Sequence, residues 1–460
     1  MGIRIGGQIE KVNAKELSYS EFVLKYMEKN QPVVMIGLMD DWKACKDWVF
    51  DNGKPNLQFF STHFGNSRVQ VADCGTKEFT DQKRVEMSVS EFVDHWLENS
   101  MEEQSGASTN LSHGHHVLYL KDWHFVKEYP EYLAYTTPLF FCDDWLNLYL
   151  DNYRSWTPLH ADVFRSYSWS ANVCGRKQWL FLSPSQCNRV FDRNMKGSVY
   201  NIFDDVSEKE FPSFKEATWL ECTQEQNEII FVPSGWYHQV HNLEDTISIN
   251  HNWFNSYNLS WVWDLLLRDY DEAKEYIEDI RDICDDFEGL CQRNLAANTG
   301  MNFNDFYFFL THFCLANVVE LCCLRRNCEN SIHSSSLVAQ HLAMNLRSVQ
   351  KIVLEIESVG GLAGNRGIFL DIRETLDDPS FLNLCTGLER VCGMMHKLKS
   401  GNIDTKKDLV DDLMDLDSIR TNGSGVFKAE ELVIFIDKAI ANLGGTNGDE
   451  IVLLSERDGA

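Results

Sequence analysis

The chain has 460 residues, 44% of them hydrophobic and 12% aromatic, including 13 Trp and 28 Phe. That is too long for one ordinary core and too apolar for a disordered polymer, so two or three packed units are expected. Its 69 acidic residues outweigh 42 basic ones, a formal charge of -27, which argues against direct nucleic-acid binding and favours a basic protein partner.

Taken in chain order, Met1-Gly2-Ile3-Arg4-Ile5-Gly6 has no apolar signal core. No apolar run approaches the roughly 18 residues a membrane span needs. The 14 Cys include no Cys-x-x-Cys pair. An intracellular chain with reduced thiols and no membrane association is therefore expected. Ser18 to Glu28 reads as a short amphipathic helix, and Pro32-Val33-Val34-Met35-Ile36-Gly37 as a buried strand. Arg68 to Ala72 alternates like a strand. Ser88 and Glu91 form a capping box that opens a helix through Trp96, followed by a polar loop over 99–114.

Further strands are expected at His116–Leu120, at Trp169–Leu182 around a Gly175-Arg176-Lys177 turn, at Asn227–Pro233 and at Thr246–His251. Many short strands with Gly/Pro turns point to a double-sheet jelly roll, not a parallel α/β fold. From Leu259 the apolar spacing becomes helical, over Leu259–Leu290, Asn304–Leu324 and Ser336–Val359. Residues 399–408 and 420–428 read as polar linkers. Asp415, Asp417 and Asn422 miss the offsets of a calcium loop. The fold class is thus α+β: segments 1–115 as an N-terminal α/β cover, 116–258 as the jelly roll, and 259–460 as a helical region.

The chemistry concentrates in Ser155-Trp156-Thr157-Pro158-Leu159-His160-Ala161-Asp162. Residues two apart on a strand face the same side, so His160 and Asp162 can meet one metal. The third ligand is expected from Phe231-Val232-Pro233-Ser234-Gly235-Trp236-Tyr237-His238, where a buried strand ends in a Pro/Gly turn that presents His238. Two imidazoles and one carboxylate leave three coordination positions open, as in non-haem Fe(II) oxygenases. Catalytic zinc usually takes such a set from a His-Glu-x-x-His helix, which this segment lacks. Against these readings, His113, His115 and His116 are a polar loop beside a strand. The Trp261/Trp263 and Phe306–Phe309 clusters are helix core, and Cys174 carries no mark of a nucleophile.

His160-Ala161-Asp162, Trp169, Gly175-Arg176-Lys177-Gln178-Trp179-Leu180-Phe181, Ile230 to Val240 and Leu243 to Asn250 together resemble a Jumonji-C domain. Lys121-Asp122-Trp123-His124, Asp144-Trp145-Leu146-Asn147, Phe164-Arg165-Ser166 and Asn250-His251-Asn252-Trp253 narrow the resemblance to the Jumonji domain-containing protein 4 branch, over roughly residues 18–310. Animal members of that branch hydroxylate a lysine of the translation termination factor; plant members are linked to histone arginine demethylation. The resemblance implies Fe(II), 2-oxoglutarate and O2, and a cytoplasmic and/or nuclear location. It places Lys177 on the far carboxylate of 2-oxoglutarate, with Thr157, Tyr119 and Asn250 as further donors. Ser170 stands where relatives often carry Asn, and Asn172 lies two residues on along the same face.

The sequence departs from the family pattern at one place. Asp144 to Arg154 runs almost directly into Ser155, so an apolar strand expected before the His-x-Asp segment is missing, which would leave an open barrel edge beside the metal. A milder departure is Gln226-Asn227, where Asn tolerates a left-handed turn. Two competing readings stand beside the oxygenase: a non-enzymatic scaffold that recruits a basic partner, and a zinc or manganese hydrolase or isomerase, which would not need Lys177.

Overall fold

The computed structural model describes residues 3–78, 81–105, 117–121, 123–149, 160–327, 332–359, 368–369, 372–396 and 426–443. It divides into two compact units. One comprises Met1–Leu146 with Leu150–Phe254, the other Asn147–Tyr149 with Asn255–Ala460.

Among the described residues the first unit has twelve strands: β1 (Arg4–Gln8), β2 (Glu10–Asn13), β3 (Val33–Ile36), β4 (Arg68–Glu78), β5 (Asp81–Ser88), β6 (Leu118–Lys121), β7 (Tyr167–Cys174), β8 (Lys177–Leu182), β9 (Thr218–Gln224), β10 (Glu228–Val232), β11 (Tyr237–Asn242) and β12 (Ile247–Trp253). They form a four-stranded sheet, β1-β9-β8-β11, a five-stranded sheet, β12-β7-β10-β3-β2, and a separate β5-β4-β6 sheet. The larger two make the jelly roll. Ile9, Val34, Ile230 and Val232 pack with Trp179, Phe181, Cys222 and Trp236 in one buried cluster.

Each central strand has a composition that matches its surroundings. β10 is buried along its whole length, between β3 and β7, and reads as a continuous apolar run. β7 is equally buried but alternates Tyr-Ser-Trp-Ser-Ala-Asn-Val, so one face is aromatic and aliphatic and the other polar. Trp169 on the apolar face stacks on Phe141, with centroids 5.8 Å apart. β7 and β8 do not pair with each other. The Gly175-Arg176 turn carries the chain from one sheet to the other, and Gly175 sits at φ 76 with Asp245 O against the place a Cβ would occupy. Only glycine satisfies both conditions.

The expected cover segment and the jelly-roll segment share both sheets, since β1 pairs β9 and β3 pairs β10. The N-terminal helix starts at the Ser18/Glu21 capping box and continues as a π-turn over Val23–Met27. A correction applies to 99–114. The Ser88/Glu91 box is present, but the helix runs over Val89–Ser105, because Glu98 to Gln104 contains helix formers and no Gly or Pro. Asn227 adopts φ 65, as its turn requires.

The second unit is helical: Leu259–Tyr276, Phe287–Thr299, Phe303–Asn327, Ile332–Val359, Pro379–His396 and Ala429–Leu443 are its long helices. Phe303–Asn327 packs against the last three and is apolar nearly all round. The stretch Phe303–Arg326 is long and apolar enough to cross a membrane, contrary to the expectation from runs alone, and 83% of it is buried within this unit. Trp263 stacks on Phe306 at 6.2 Å in that core. Val426–Phe427, inside an expected linker, pairs with Ile368–Phe369. Residues 399–408, Asp415, Asp417, Asn422, His113, His115 and His116 lie outside the described residues.

Candidate metal centre

His160 and His238 come from distant parts of the chain and meet through an antiparallel bridge. The His238 amide donates to His160 O at 2.9 Å, and the His160 amide to His238 O at 3.3 Å. Their rings are 4.4 Å apart and inclined by 53°. Asp162 follows two residues after His160. One possible ligand atom from each of the three lies within 4.8 Å of the others, the only such group of His, Cys, Asp and Glu among the described residues. His238 is 3% exposed, and the other two are half-buried.

The local structure fixes each side chain. His238 Nδ1 lies 3.1 Å from Trp236 O; a carbonyl only accepts, so Nδ1 carries the proton and Nε2 keeps its lone pair. The turn bearing Trp236 is held from 204 residues away. Asn30 Nδ2 donates to Ser234 O at 2.8 Å, Ser234 N–H donates to Asn30 Oδ1 at 2.9 Å, and Trp236 Nε1 donates to Asn30 O at 2.8 Å. Asp162 accepts from Ser168 Oγ at 2.8 Å on Oδ2 and from Asn252 Nδ2 at 2.9 Å on Oδ1. Just after it, Phe164 and Arg165 both sit in the left-handed region, at φ 53 and 51. Such backbone costs about 1–3 kcal/mol per residue and persists only where its surroundings hold it. Here the Arg165 guanidinium donates to the Tyr237 hydroxyl at 3.3 Å and lies over its ring.

A polar stripe runs from this point across two strands. Ser168, Ser170 and Asn172 on one face of β7 stand opposite Asn252, Asn250 and Ser248 on β12. Ser170 is 2% exposed and its hydroxyl has no hydrogen-bond partner among the described residues. Asn250 is exposed. Asn172 already donates to Gly175 O at 2.6 Å and accepts from Ser248, so it braces the turn. Tyr119 stands on β6 in the separate three-stranded sheet, opposite Ala72. Thr157 lies outside the described residues.

Lys177 opens β8 and shares a face with Trp179 and Phe181. Both rings pack on His238, with centroids 5.6 and 5.5 Å away. Lys177 is 7% exposed. Burial pushes its ammonium down from 10.5 to about 8, and the Cys174 thiol is the one group that opposes this. Cys174 itself is buried and its thiol pushed up to about 11, so it is no thiolate at neutral pH.

A buried cation without a carboxylate and a buried hydroxyl without a partner suit an anion with two or more oxygens. Two imidazoles and a carboxylate suit iron with three positions free. The residues present therefore fit both groups.

Sequence reading missed Ser168, Asn252 and Asn30, all of which brace the trio. The alternation of β7 marks Ser168 as sharing a face with Ser170, but nothing local marks the other two. β11 is the last strand of its sheet, and among the described residues its outer edge pairs only at His160. Of the segment suspected of lacking a strand, Asp144 to Arg154, Trp145–Tyr149 is a short helix, and 150–159 lies outside the described residues.

A cupin-like domain model matches residues 19–259. The arginine-specific demethylase JMJ20 of Arabidopsis thaliana is 55% identical over 90% of this chain and 94% of its own length. The 2-oxoglutarate and iron-dependent oxygenase JMJD4 of Danio rerio is 39% identical over 74% of this chain and 83% of its own. The bifunctional arginine demethylase and lysyl-hydroxylase psr-1 of Caenorhabditis briggsae is 26% identical over 56% and 65%. With this fold, this donor set and these relatives, the chain belongs to the cupin-like Jumonji-C family of iron- and 2-oxoglutarate-dependent oxygenases.

Proposed function

We propose that His160, Asp162 and His238 hold the iron, that Lys177 and Ser170 receive the far carboxylate of 2-oxoglutarate, and that the enzyme hydroxylates a lysine side chain of a basic protein such as a translation termination factor. The observation that carries the site is the meeting of the three donor atoms within 4.8 Å. Lys177 stands opposite Asn242 in the β8–β11 pairing, and Phe181 opposite His238. The two positions are four residues apart, about 14 Å along the pleat. The Lys177 ammonium lies 5.9 Å from the Trp179 ring centre, and a five-carbon diacid chelated at the ion would span the remainder of that gap.

When bound, iron with 2-oxoglutarate and O2 supplies the oxidising power and releases succinate and CO2. The chain's own residues supply geometry. His238 offers Nε2 because its Nδ1–H is fixed on Trp236 O. Trp179 and Phe181 line the way from Lys177 to His238 and keep water out. Lys177 holds its proton as long as an anion is beside it.

The substrate reading rests on charge and on the relatives. A chain with a formal charge of -27 favours basic partners, and JMJD4-like chains cover most of its length. A second reading has equal chemistry and a specific support: the 55% identical relative is named an arginine-specific demethylase. If the attacked carbon is an N-methyl group, the hydroxylated product collapses to formaldehyde and the outcome is demethylation. The Asn227 turn and the shared β1–β3 strands bear on neither. Cytoplasm or nucleus is the location both substrates imply.

Mass spectrometry decides between them. The protein is loaded with Fe(II) and 2-oxoglutarate and given a termination-factor peptide and a methylarginine histone peptide. A gain of one oxygen on lysine supports hydroxylation; loss of a methyl group with formaldehyde supports demethylation. 2-Oxoglutarate decarboxylation that survives His160→Ala would overturn the site itself.

A further inference from the structure

We infer that Asn252 and Ser168 are positioning residues that set how Asp162 meets the metal; this rests on the iron site proposed above. The two donors come from adjacent strands and face each other across the β7–β12 ladder. Each takes a different oxygen of the same carboxylate, Asn252 Nδ2 on Oδ1 at 2.9 Å and Ser168 Oγ on Oδ2 at 2.8 Å. Asn252 Nδ2 is itself steadied by Ser166 Oγ at 3.2 Å, and Ser166 is fully buried.

A carboxylate held at one oxygen can rotate about its last bond; one held at both cannot without breaking a hydrogen bond. Bonds to an ionised carboxylate are shorter and stronger than those between neutral groups. The clamp therefore fixes the plane of the Asp162 carboxylate and the lone pairs that would remain for the ion. Freed, the carboxylate could rotate and would present the ion with a less defined ligand. Neither Asn252 nor Ser168 needs to touch substrate for this.

The test uses the full chain with Asn252→Ala and Ser168→Ala, each prepared without oxygen and titrated with Fe(II). Three readouts are taken: the Fe(II) dissociation constant, the visible charge-transfer band that appears when 2-oxoglutarate chelates iron, and the thermal midpoint. The expected result is an Fe(II) affinity about 10–100-fold weaker in each variant, with a weakened or shifted band at saturating iron and a midpoint close to wild type. The double variant should lose less than the product of the two, since both act on one carboxylate. Ser166→Ala, which leaves both bonds to Asp162 in place, should show a much smaller effect.

If one variant fails to fold, the other decides, because the two residues lie on different strands. Wild-type iron affinity and an unchanged band in a folded variant would overturn the clamp, as would a loss of iron that merely tracks a collapsed midpoint. His238→Ala separates this from the site reading: if it too leaves iron binding intact, the iron site is wrong; if it abolishes binding while the clamp variants do not, only the clamp is.

Discussion

One pair of buried polar groups in each unit makes a contrast. In the helical unit, Asn317 and Asn345 are fully buried and bonded to each other, although Asn345 Oδ1 has no partner among the described residues. Asn345 Nδ2 donates to Asn317 Oδ1 at 3.0 Å, and Asn317 Nδ2 donates to Phe313 O at 2.7 Å. In the jelly-roll unit, Lys177 is buried with burial as the main influence on its charge, and the Ser170 hydroxyl is buried with no partner among the described residues. A fold gains nothing from leaving such groups unmet. The difference separates a pair bonded within the structure, Asn317 with Asn345, from a pair left for the ligand proposed above, Lys177 with Ser170.

The largest expected effect tests the metal side of that contrast. His238→Ala removes one of two imidazoles from the trio but leaves the antiparallel bridge to His160, which is made by backbone. Turnover of 2-oxoglutarate should fall by more than the about 10–100-fold typical of losing an outer partner of a metal ligand. The thermal midpoint should move little. Decarboxylation and circular dichroism on the same preparation check both halves; a variant that keeps full turnover breaks the comparison at its root.

Next in size is Lys177→Met. Losing a charge-assisted contact to the diacid should raise the KM for 2-oxoglutarate by about 10–100-fold, equivalent to about 1.5–3 kcal/mol. The apoprotein should become more stable, because a desolvated cation is replaced by an apolar chain of similar length. A variant that both binds 2-oxoglutarate normally and melts lower would place Lys177 among the structural groups instead.

The same lysine sets a pH dependence. Its folded value, about 8, lies below its ordinary 10.5. Between about 8 and 10.5 the unfolded chain therefore holds more protons than the folded one, so apoprotein stability rises with pH across that window. Binding runs the other way. The diacid needs the ammonium, so its affinity should be flat below pH about 8 and fall toward tenfold per pH unit above it. Titrations with 2-oxoglutarate across that range check this, and Lys177→Met should show a flat, weak profile.

Much of this arrangement is legible in the sequence because it is local. His160 and Asp162 share a face by strand periodicity, and the Pro233-Ser234-Gly235 turn marks where His238 leaves a buried strand. Lys177 beside Trp179 and Phe181 announces an expensive burial. What is not legible depends on long-range register. Asn252 reaches Asp162 across 90 residues and Asn30 reaches Ser234 across 204, so no window of sequence contains either pair. β1 and β9 escaped notice for a related reason: Arg4-Ile5-Gly6-Gly7-Gln8 has no strand alternation, and its extended form comes from its parallel partner. Tyr119, nominated by resemblance, stands on a strand of the separate three-stranded sheet.

The smallest effect is the most direct test of the contrast, because it sets two buried polar deletions side by side. Asn345→Ala removes a bond within the helical unit and leaves Asn317 Oδ1 without its donor in a dry core. It should cost about 1–3 kcal/mol of stability and leave the KM for 2-oxoglutarate unchanged. Ser170→Ala removes a hydroxyl that bonds to nothing among the described residues, so stability should stay level or rise slightly. Affinity for 2-oxoglutarate should drop by roughly 2–10-fold, equivalent to about 0.5–1.5 kcal/mol. Denaturant melts and 2-oxoglutarate titrations on both variants give four numbers, and the contrast requires that they cross. If Ser170→Ala destabilises the fold without touching 2-oxoglutarate, its hydroxyl serves the barrel and not the ligand, and the polar stripe loses its meaning as a binding surface.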